Sequence, residues 1–175
     1  THKSNLVKIN VVTDLIAVKQ RKQSVSAYIA NGGISPDGNR VILEARGDVF
    51  SLPAEEGYIQ NLTRTSGVAE RFPAWSPDGK YIAYWSDKSG EYELTIRDLT
   101  QGAAEIKLTS MGAGFRYNIF WSPDSKKMVW VDQTMTFNMY NMDTKEWNKI
   151  DQDGRLFEGG LRSWYPSWSA DSKWL

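Results

Sequence analysis

W-S-P-D-G-K-Y-I-A-Y-W, residues 75–85, is the most informative segment of this 175-residue chain, because its opening recurs three more times. I-S-P-D-G begins at Ile34, W-S-P-D-S at Trp121 and W-S-A-D-S at Trp168. The repeated serines stand at positions 35, 76, 122 and 169, so successive copies lie 41, 46 and 47 residues apart. A β-rich repeat of about 40–50 residues is typical of the blades of a β-propeller.

Each repeat opens with a predicted tight turn. Pro-Asp-Gly supplies a fixed φ, a side chain that bonds its own backbone, and a residue that tolerates positive φ. We expect the serine to cap this turn, and the tryptophan to end the innermost strand and pack between neighbouring blades. The predicted structural anchors are Ser35, Asp37, Trp75, Asp78, Trp121, Asp124, Trp168 and Asp171. A catalytic serine is not expected at these positions, because all four copies would be equally catalytic.

Alternating apolar and polar residues after each turn predict the remaining strands of a four-stranded antiparallel blade. The second strands are predicted at Arg40–Glu44, Lys80–Tyr84 and Lys127–Val131. The third strands are predicted at Asp48–Leu52, Tyr92–Ile96 and Thr136–Tyr140. The fourth strands are predicted at Ile59–Thr63, Glu105–Thr109 and Trp147–Ile150.

The repeats predict a single all-β domain over residues 1–175, namely a partial β-propeller. Its predicted parts are an N-terminal strand (Leu6–Val12) and connector over 1–30, blades over 30–63, 71–109 and 116–151, and the truncated start of a further blade over 164–175. Propellers close with 4–8 blades, so we expect the chain to be part of a larger ring, with six blades favoured. Uncovered blade faces exceed a normal apolar surface patch, and we expect them to self-associate.

The composition excludes several classes of function. The 21 basic residues are balanced by 21 acidic ones, which argues against a nucleic-acid binder. No apolar run approaches the roughly 18 residues of a membrane span. The chain has no cysteine, and its one histidine is His2. We therefore expect no catalytic residue, no metal site and no cofactor within this sequence.

Two segments carry a resemblance to a known family. E-A-R-G-D-V-F-S-L-P-A begins at Glu44, and N-L-T-R-T-S-G-V-A-E-R-F-P-A-W-S-P-D-G begins at Asn61. Together they resemble the N-terminal six-bladed propeller of tricorn protease and its bacterial homologues. The resemblance extends over about residues 5–175.

The resemblance implies a serine peptidase as the parent protein. In that family two propellers precede a PDZ module and a catalytic core, and the propellers limit which peptides reach the active site. The family's catalytic serine and histidine match no position of this sequence. The implied partners are peptides and the remainder of the parent chain. Bacterial relatives of this type are exported to the periplasm and archaeal ones are cytoplasmic, and the lack of cysteine fits both.

The W-S-P-D-G anchor also occurs in two other classes of propeller, which stay open as alternatives. One is a TolB-like interaction propeller, which docks protein partners and belongs to no enzyme. The other is the propeller cap of a prolyl-oligopeptidase-type hydrolase. The sequences that flank the chain would separate these alternatives.

Three arginines precede the anchor tryptophans, each near aromatic residues. We interpret these positions as the entry of the innermost strands, at the mouth of the central channel. The guanidinium groups would attract peptide carboxylates and the rings would supply contact surface. Alternatively, each arginine pairs with a loop acid, such as Glu70 or Asp87, and holds the blades together. The candidate channel residues are Arg71, Arg116, Arg162, Phe72, Tyr117 and Tyr165.

Overall fold

The described part of the chain consists of short strands in three sheets. The computed structural model describes residues 7–10, 24, 26–154 and 160–175. Its twelve strands are β1 (Ile29–Ile34), β2 (Arg40–Ala45), β3 (Asp48–Pro53), β4 (Gln60–Asn61), β5 (Glu70–Trp75), β6 (Tyr81–Ser86), β7 (Glu93–Asp98), β8 (Ala104–Lys107), β9 (Arg116–Trp121), β10 (Lys127–Asp132), β11 (Thr136–Asn141) and β12 (Glu146–Gln152). Short 3-10 turns occur at Ser26–Tyr28, Leu99–Gln101 and Leu161–Ser163.

Each sheet is an antiparallel meander of four strands. The strand orders are β1-β2-β3-β4, β5-β6-β7-β8 and β9-β10-β11-β12. The first strand of each sheet contacts the first strand of the next, since β1 lies against β5 and β5 against β9. These three strands are therefore innermost, and each sheet is one blade. The all-β partial propeller predicted from the repeat is confirmed.

The second and third strands of each blade begin within one residue of their predicted positions, whereas two outer strands end early. β4 contains only Gln60 and Asn61, because the Asn61 side chain accepts bonds from the N–H groups of Thr63 and Arg64 and turns the chain away. In the second blade the hydroxyl of Thr109 accepts the bond from the N–H of Leu94, which a longer β8 would otherwise receive. The predicted strand Leu6–Val12 lies mostly outside the described residues, and its described part, 7–10, forms no strand.

Alternating side chains of each blade pack against the next one. Trp85 of β6 and Trp130 of β10 are 1% and 0% exposed, and their rings meet edge to face at 5.3 Å between centroids. Between the first two blades, Ile42 and Val49 pack against Ile82 and Tyr84. Aromatic rings bury more area than other side chains, so the Trp85–Trp130 contact is a major part of the core.

The face of the first blade that points away from the second blade is mainly apolar, although it includes Arg46 and Asp48. It forms a cavity of about 500 Å³, lined by Leu43, Ala45, Phe50, Leu52 and Ile59 among others. Self-association through such a face stays a prediction.

The anchor turns have the same hydrogen bonds in all four repeats. The serine hydroxyl donates to the aspartate two residues later, at 2.5–2.6 Å, in Ser35–Asp37, Ser76–Asp78, Ser122–Asp124 and Ser169–Asp171. The same hydroxyl accepts the backbone N–H five residues later, at 2.9 Å in each copy. The serine bond lowers the pKa of Asp37 and of Asp171, because it stabilises the charged carboxylate.

Two of the three anchor tryptophans join neighbouring inner strands, whereas the buried indole N–H of Trp75 has no hydrogen-bond partner among the described residues. The indole N–H of Trp121 donates to the carbonyl of Ala74 at 3.3 Å, and that of Trp168 donates to the carbonyl of Phe120 at 3.4 Å. The Trp121 ring also stacks on Tyr81 of the preceding blade, with 6.3 Å between centroids. These residues therefore hold one blade in register with the next.

A second bond between blades comes from the last residue of the anchor turn. Ser125 accepts the N–H of Asp78 at 3.0 Å, and Ser172 accepts the N–H of Asp124 at 3.0 Å. Both serines have left-handed backbone, with φ of 60° and 59°. This conformation costs a non-glycine residue about 1–2 kcal/mol, which the bond between blades offsets.

We expect Ser125→Ala to lower the free energy of unfolding by about 1–2 kcal/mol, since it removes the bond and keeps the unfavourable φ. Ser125→Gly should cost less, because glycine adopts positive φ freely. Urea denaturation measures both values, with exposed Ser89→Ala as the control. Equal stabilities of the alanine and native chains would contradict this role.

Candidate functional site

Aromatic rings gather where the inner strands β5 and β9 begin. Phe115 lies 5.1 Å from Tyr117, 5.9 Å from Tyr92 and 6.2 Å from Phe72, measured between centroids, and all three contacts are edge to face. Phe72 also lies 6.5 Å from Tyr117. These separations are in the favourable range for aromatic pairs. We call these four rings, with Arg71 and Arg162, the rim cluster.

Arg71 is held by two rings of this cluster. Its guanidinium carbon lies 5.6 Å from the centroid of Tyr92 and 5.9 Å from that of Phe115, within the range of a cation–π interaction. Burial raises the pKa of the Tyr92 phenol, and the charge of Arg71 opposes that rise. Arg71 is half-buried. The two rings that it contacts therefore restrict the orientation of its guanidinium group.

Arg162 contacts all three inner strands. Its guanidinium carbon lies 5.1 Å from the centroid of Phe72, and its Nη2 donates to the Asn31 Oδ1 at 2.9 Å. Its backbone carbonyl accepts a bond from the Asn118 side chain at 3.4 Å. Asn31, Phe72 and Asn118 each stand four residues before an anchor serine. The residues at this one position of three successive repeats therefore all contact Arg162.

Arg116 is separated from the other two arginines. It is 6% exposed, and its guanidinium donates to the carbonyls of Tyr92, Gly114 and Gly112 at 2.8, 2.8 and 2.9 Å. The sequence predicts one set of three arginines, yet the structure places only Arg71 and Arg162 in the rim cluster. Arg116 has a different place because it precedes its tryptophan by five residues, whereas Arg71 precedes Trp75 by four. Successive strand residues point to opposite faces.

The two loop acids considered as arginine partners have other partners. Both carboxylate oxygens of Glu70 accept bonds from the Thr65 hydroxyl, at 2.8 and 2.9 Å. Asp87 accepts the backbone N–H of Ala69 at 2.7 Å. Glu70 is 1% exposed, and this burial raises the pKa of its carboxyl above the ordinary value, aided by the charges of Asp48 and Glu105.

A cavity of about 470 Å³ adjoins the rim cluster along the inner strands. It is lined by Phe72, by Asn31 and Asn118, and by Tyr165. Tyr165 is 69% exposed, and its ring meets Phe120 edge to face at 5.8 Å. The cavity therefore offers aromatic surface and amide groups next to the guanidinium of Arg162, which contacts Phe72 and Asn31.

Sequence reasoning missed Asn31, Tyr92 and Phe115 as members or neighbours of this site. The position four residues before each anchor serine would have indicated Asn31. Tyr92 and Phe115 lie in connections outside the repeated motif, and no pattern in the sequence singled them out. Binding of peptides by the six predicted channel residues stays a prediction.

Comparisons with known proteins relate the chain to TolB and to a peptidase. No protein-family model matches the sequence. The dipeptidyl-peptidase 5 of Porphyromonas gingivalis is 38% identical over 53% of this chain and 16% of its own length. The Tol-Pal system protein TolB of Mannheimia succiniciproducens is 30% identical over 62% of this chain and 23% of its own length. The chain thus spans less than a quarter of these curated relatives.

Solved structures show the same fold at low sequence identity. TolB from Acinetobacter baumannii superposes with a TM-score of 0.65 at 18% identity, over 83% of this chain and 36% of that one. The tricorn protease superposes with a TM-score of 0.53 at 13% identity, over 65% of this chain and 13% of that one. The chain has a TolB-like β-propeller fold. Within the described ranges, no helix is long and apolar enough to cross a membrane.

We expect Arg116→Ala to lower the free energy of unfolding by about 3 kcal/mol, because three carbonyls that it bonds would lose a charged donor. Exposed Arg64→Ala, the matched control, should change stability by less than about 0.5 kcal/mol. Thermal and urea denaturation test both. Equal, small effects would show that Arg116 is dispensable for the fold.

We expect Glu70→Gln to raise stability at pH 7. The raised pKa means that the folded chain holds this proton more tightly than the unfolded chain, so native stability falls as the pH rises from 4.5 through the folded pKa. Glutamine keeps an acceptor for Thr65 without a charge. Urea denaturation at pH 7 and pH 4 should show an advantage at pH 7 only, and exposed Glu56→Gln should show none. An advantage that is the same at both pH values would contradict the account.

Proposed function

We propose that this propeller binds acidic or carboxylate-bearing peptide segments at its channel rim, as the non-catalytic part of a tricorn-like serine peptidase. In that role it gates peptides on their way to or from a catalytic core outside this chain. The observation that supports this most directly is the pair Arg71 and Arg162, each placed over aromatic rings at the ends of the inner strands.

The chemistry of a guanidinium placed over an aromatic ring suits such a ligand. A ring against the flat face leaves the N–H edge of the group to meet a carboxylate, which it bonds with two parallel hydrogen bonds. The neighbouring cavity, with Phe72, Asn118 and Tyr165 on its wall, offers aromatic surface and the Asn118 amide oxygen to a peptide backbone.

Two findings support a peptidase as the parent. One is the similarity to a dipeptidyl-peptidase, and the other is the fold shared with the tricorn protease. The sequence has one histidine, His2, and no cysteine, so we assign catalysis to another part of the parent protein. The dipeptidyl-peptidase similarity also fits the propeller cap of a prolyl-oligopeptidase-type hydrolase.

A TolB-like interaction propeller is the second candidate, favoured by the 30% identity to a TolB and the TM-score of 0.65 with another. In that case the same rim would dock a segment of a protein partner. The gene sequence that flanks this chain discriminates the candidates. A PDZ-like segment supports the tricorn-like parent, a G-x-S-x-G elbow supports the prolyl-oligopeptidase type, and neither supports the interaction propeller.

Peptide binding is tested with fluorescein-labelled tetraglutamate and tetraglutamine in fluorescence anisotropy. Arg71→Ala and Arg162→Ala should each weaken tetraglutamate binding about tenfold, since each removes a charge-assisted bond. Tetraglutamine should bind more weakly to the native chain and should respond less to either change. Arg64→Ala, an exposed arginine away from the rim cluster, is the matched control. Equal losses with Arg64→Ala, or no preference for glutamate, would contradict binding at the rim.

A further inference from the structure

We propose that Glu44 is a positioning residue for Arg162. One buried carboxylate oxygen of Glu44 fixes the position of the Phe72 ring and the orientation of the Asn31 amide, and both of these groups contact Arg162. The ligand of Arg162 rests on the proposed function, whereas the positioning itself is a property of the chain and is tested separately.

Glu44 joins the inner ends of the first two blades. It is 8% exposed and lies on β2, where it pairs directly with Asn31 of β1. Its Oε2 accepts the backbone N–H of Phe72 at 2.9 Å and also a bond from the Asn31 Nδ2. A single oxygen therefore fixes two groups that both contact Arg162.

The first of these groups is the Phe72 ring. Phe72 lies at an irregularity of β5 and has a φ of 53°, a left-handed conformation that is uncommon for an aromatic residue. The bond from its N–H to Glu44 stabilises this conformation, which presents the ring to the guanidinium of Arg162 at 5.1 Å.

The second group is the amide of Asn31. An amide has a donor end and an acceptor end, and the bond to Glu44 uses its donor end. The acceptor end, Oδ1, must then point away from Glu44, where it receives the Nη2 of Arg162 at 2.9 Å. Without the carboxylate the amide is free to rotate and to present its NH₂ to the guanidinium, which has no acceptor.

The blade itself does not require a carboxylate at this position. Glu44 stands nine residues after its anchor serine, and the same position holds Trp85 in the second repeat and Val131 in the third. Both of these are buried apolar residues. Since a buried charge is costly unless it is hydrogen-bonded, its presence in one blade only points to a local task, namely the rim cluster.

The test compares Glu44→Gln with Glu44→Ala in the isotopically labelled chain. The first readout is the Nε–Hε resonance of Arg162, which the Phe72 ring current shifts. The second readout is the affinity for fluorescein-labelled tetraglutamate. Glutamine retains an acceptor oxygen, so Glu44→Gln should keep the resonance in place and the affinity within about twofold. Glu44→Ala should move the resonance towards its position in an unstructured peptide and weaken binding about tenfold, to the level of Arg162→Ala.

Two further variants separate positioning from loss of stability. Asp98→Ala removes another buried carboxylate, at the opposite end of β7 from the rim cluster, which accepts the backbone N–H and the hydroxyl of Thr100, and should leave the Arg162 resonance unchanged. Asn31→Ala removes the amide that links Glu44 to Arg162 while the buried carboxylate stays in place, and it should move the Arg162 resonance. An unmoved resonance in both Glu44→Ala and Asn31→Ala, or equal effects of Glu44→Gln and Glu44→Ala, would overturn the inference. Failure of the native chain to bind tetraglutamate would overturn the proposed function, and the resonance would still decide the role of Glu44.

Discussion

A four-stranded blade has two broad faces, and a propeller is stable only when each face packs on a neighbour. In this chain the packing depends on contacts that recur at fixed repeat positions. The indoles of Trp121 and Trp168 bond to the preceding inner strand, and the serines at the ends of two anchor turns accept an N–H from the preceding blade. These contacts join the second blade to the third and the third to the fourth repeat, whereas the first two blades are joined by packing of Ile42 and Val49 on Ile82 and Tyr84. The inner strands therefore stand side by side, and their first residues meet at one rim.

Because these contacts lie elsewhere in the blades, the side chains at the start of the inner strands can differ from one blade to the next. Four residues before the anchor serines stand two asparagines and two aromatic residues, namely Asn31, Phe72, Asn118 and Tyr165. One position earlier along the chain, Arg71 faces the rim in the second blade. The blade scaffold thus fixes the backbone, and the side chains at its inner edge supply the cations, rings and amides of the candidate site.

The repeat predicted the architecture because the anchor turn and the two following strands carry local signals. A Ser-x-Asp turn and period-two alternation are properties of a few adjacent residues, and the strands start close to the predicted positions. The ends of β4 and β8 could not be predicted in the same way, since the side chains of Asn61 and Thr109 compete there with backbone pairing.

The candidate site was less predictable because it joins distant residues. The arginines resemble one another in the sequence, but Arg71, Arg116 and Arg162 precede their tryptophans by four, five and six residues. That difference sends Arg116 into the interior, where it bonds three carbonyls. The strand that contains Glu44 has an ordinary alternating pattern, so the sequence did not indicate a special role for this residue. Only the comparison with Trp85 and Val131 at the same repeat position shows that Glu44 is the one charged residue there.

The most direct test of the central claim is a map of the peptide contact on the ¹⁵N-labelled chain. Tetraglutamate is titrated in, and the shift of each backbone amide and arginine side-chain resonance is followed. The account predicts changes concentrated at Asn31, Arg71, Phe72 and Arg162, with little change at the anchor turns. Shifts centred on the anchor turns around Asp78 and Asp124, or no saturable shift at the rim, would contradict it.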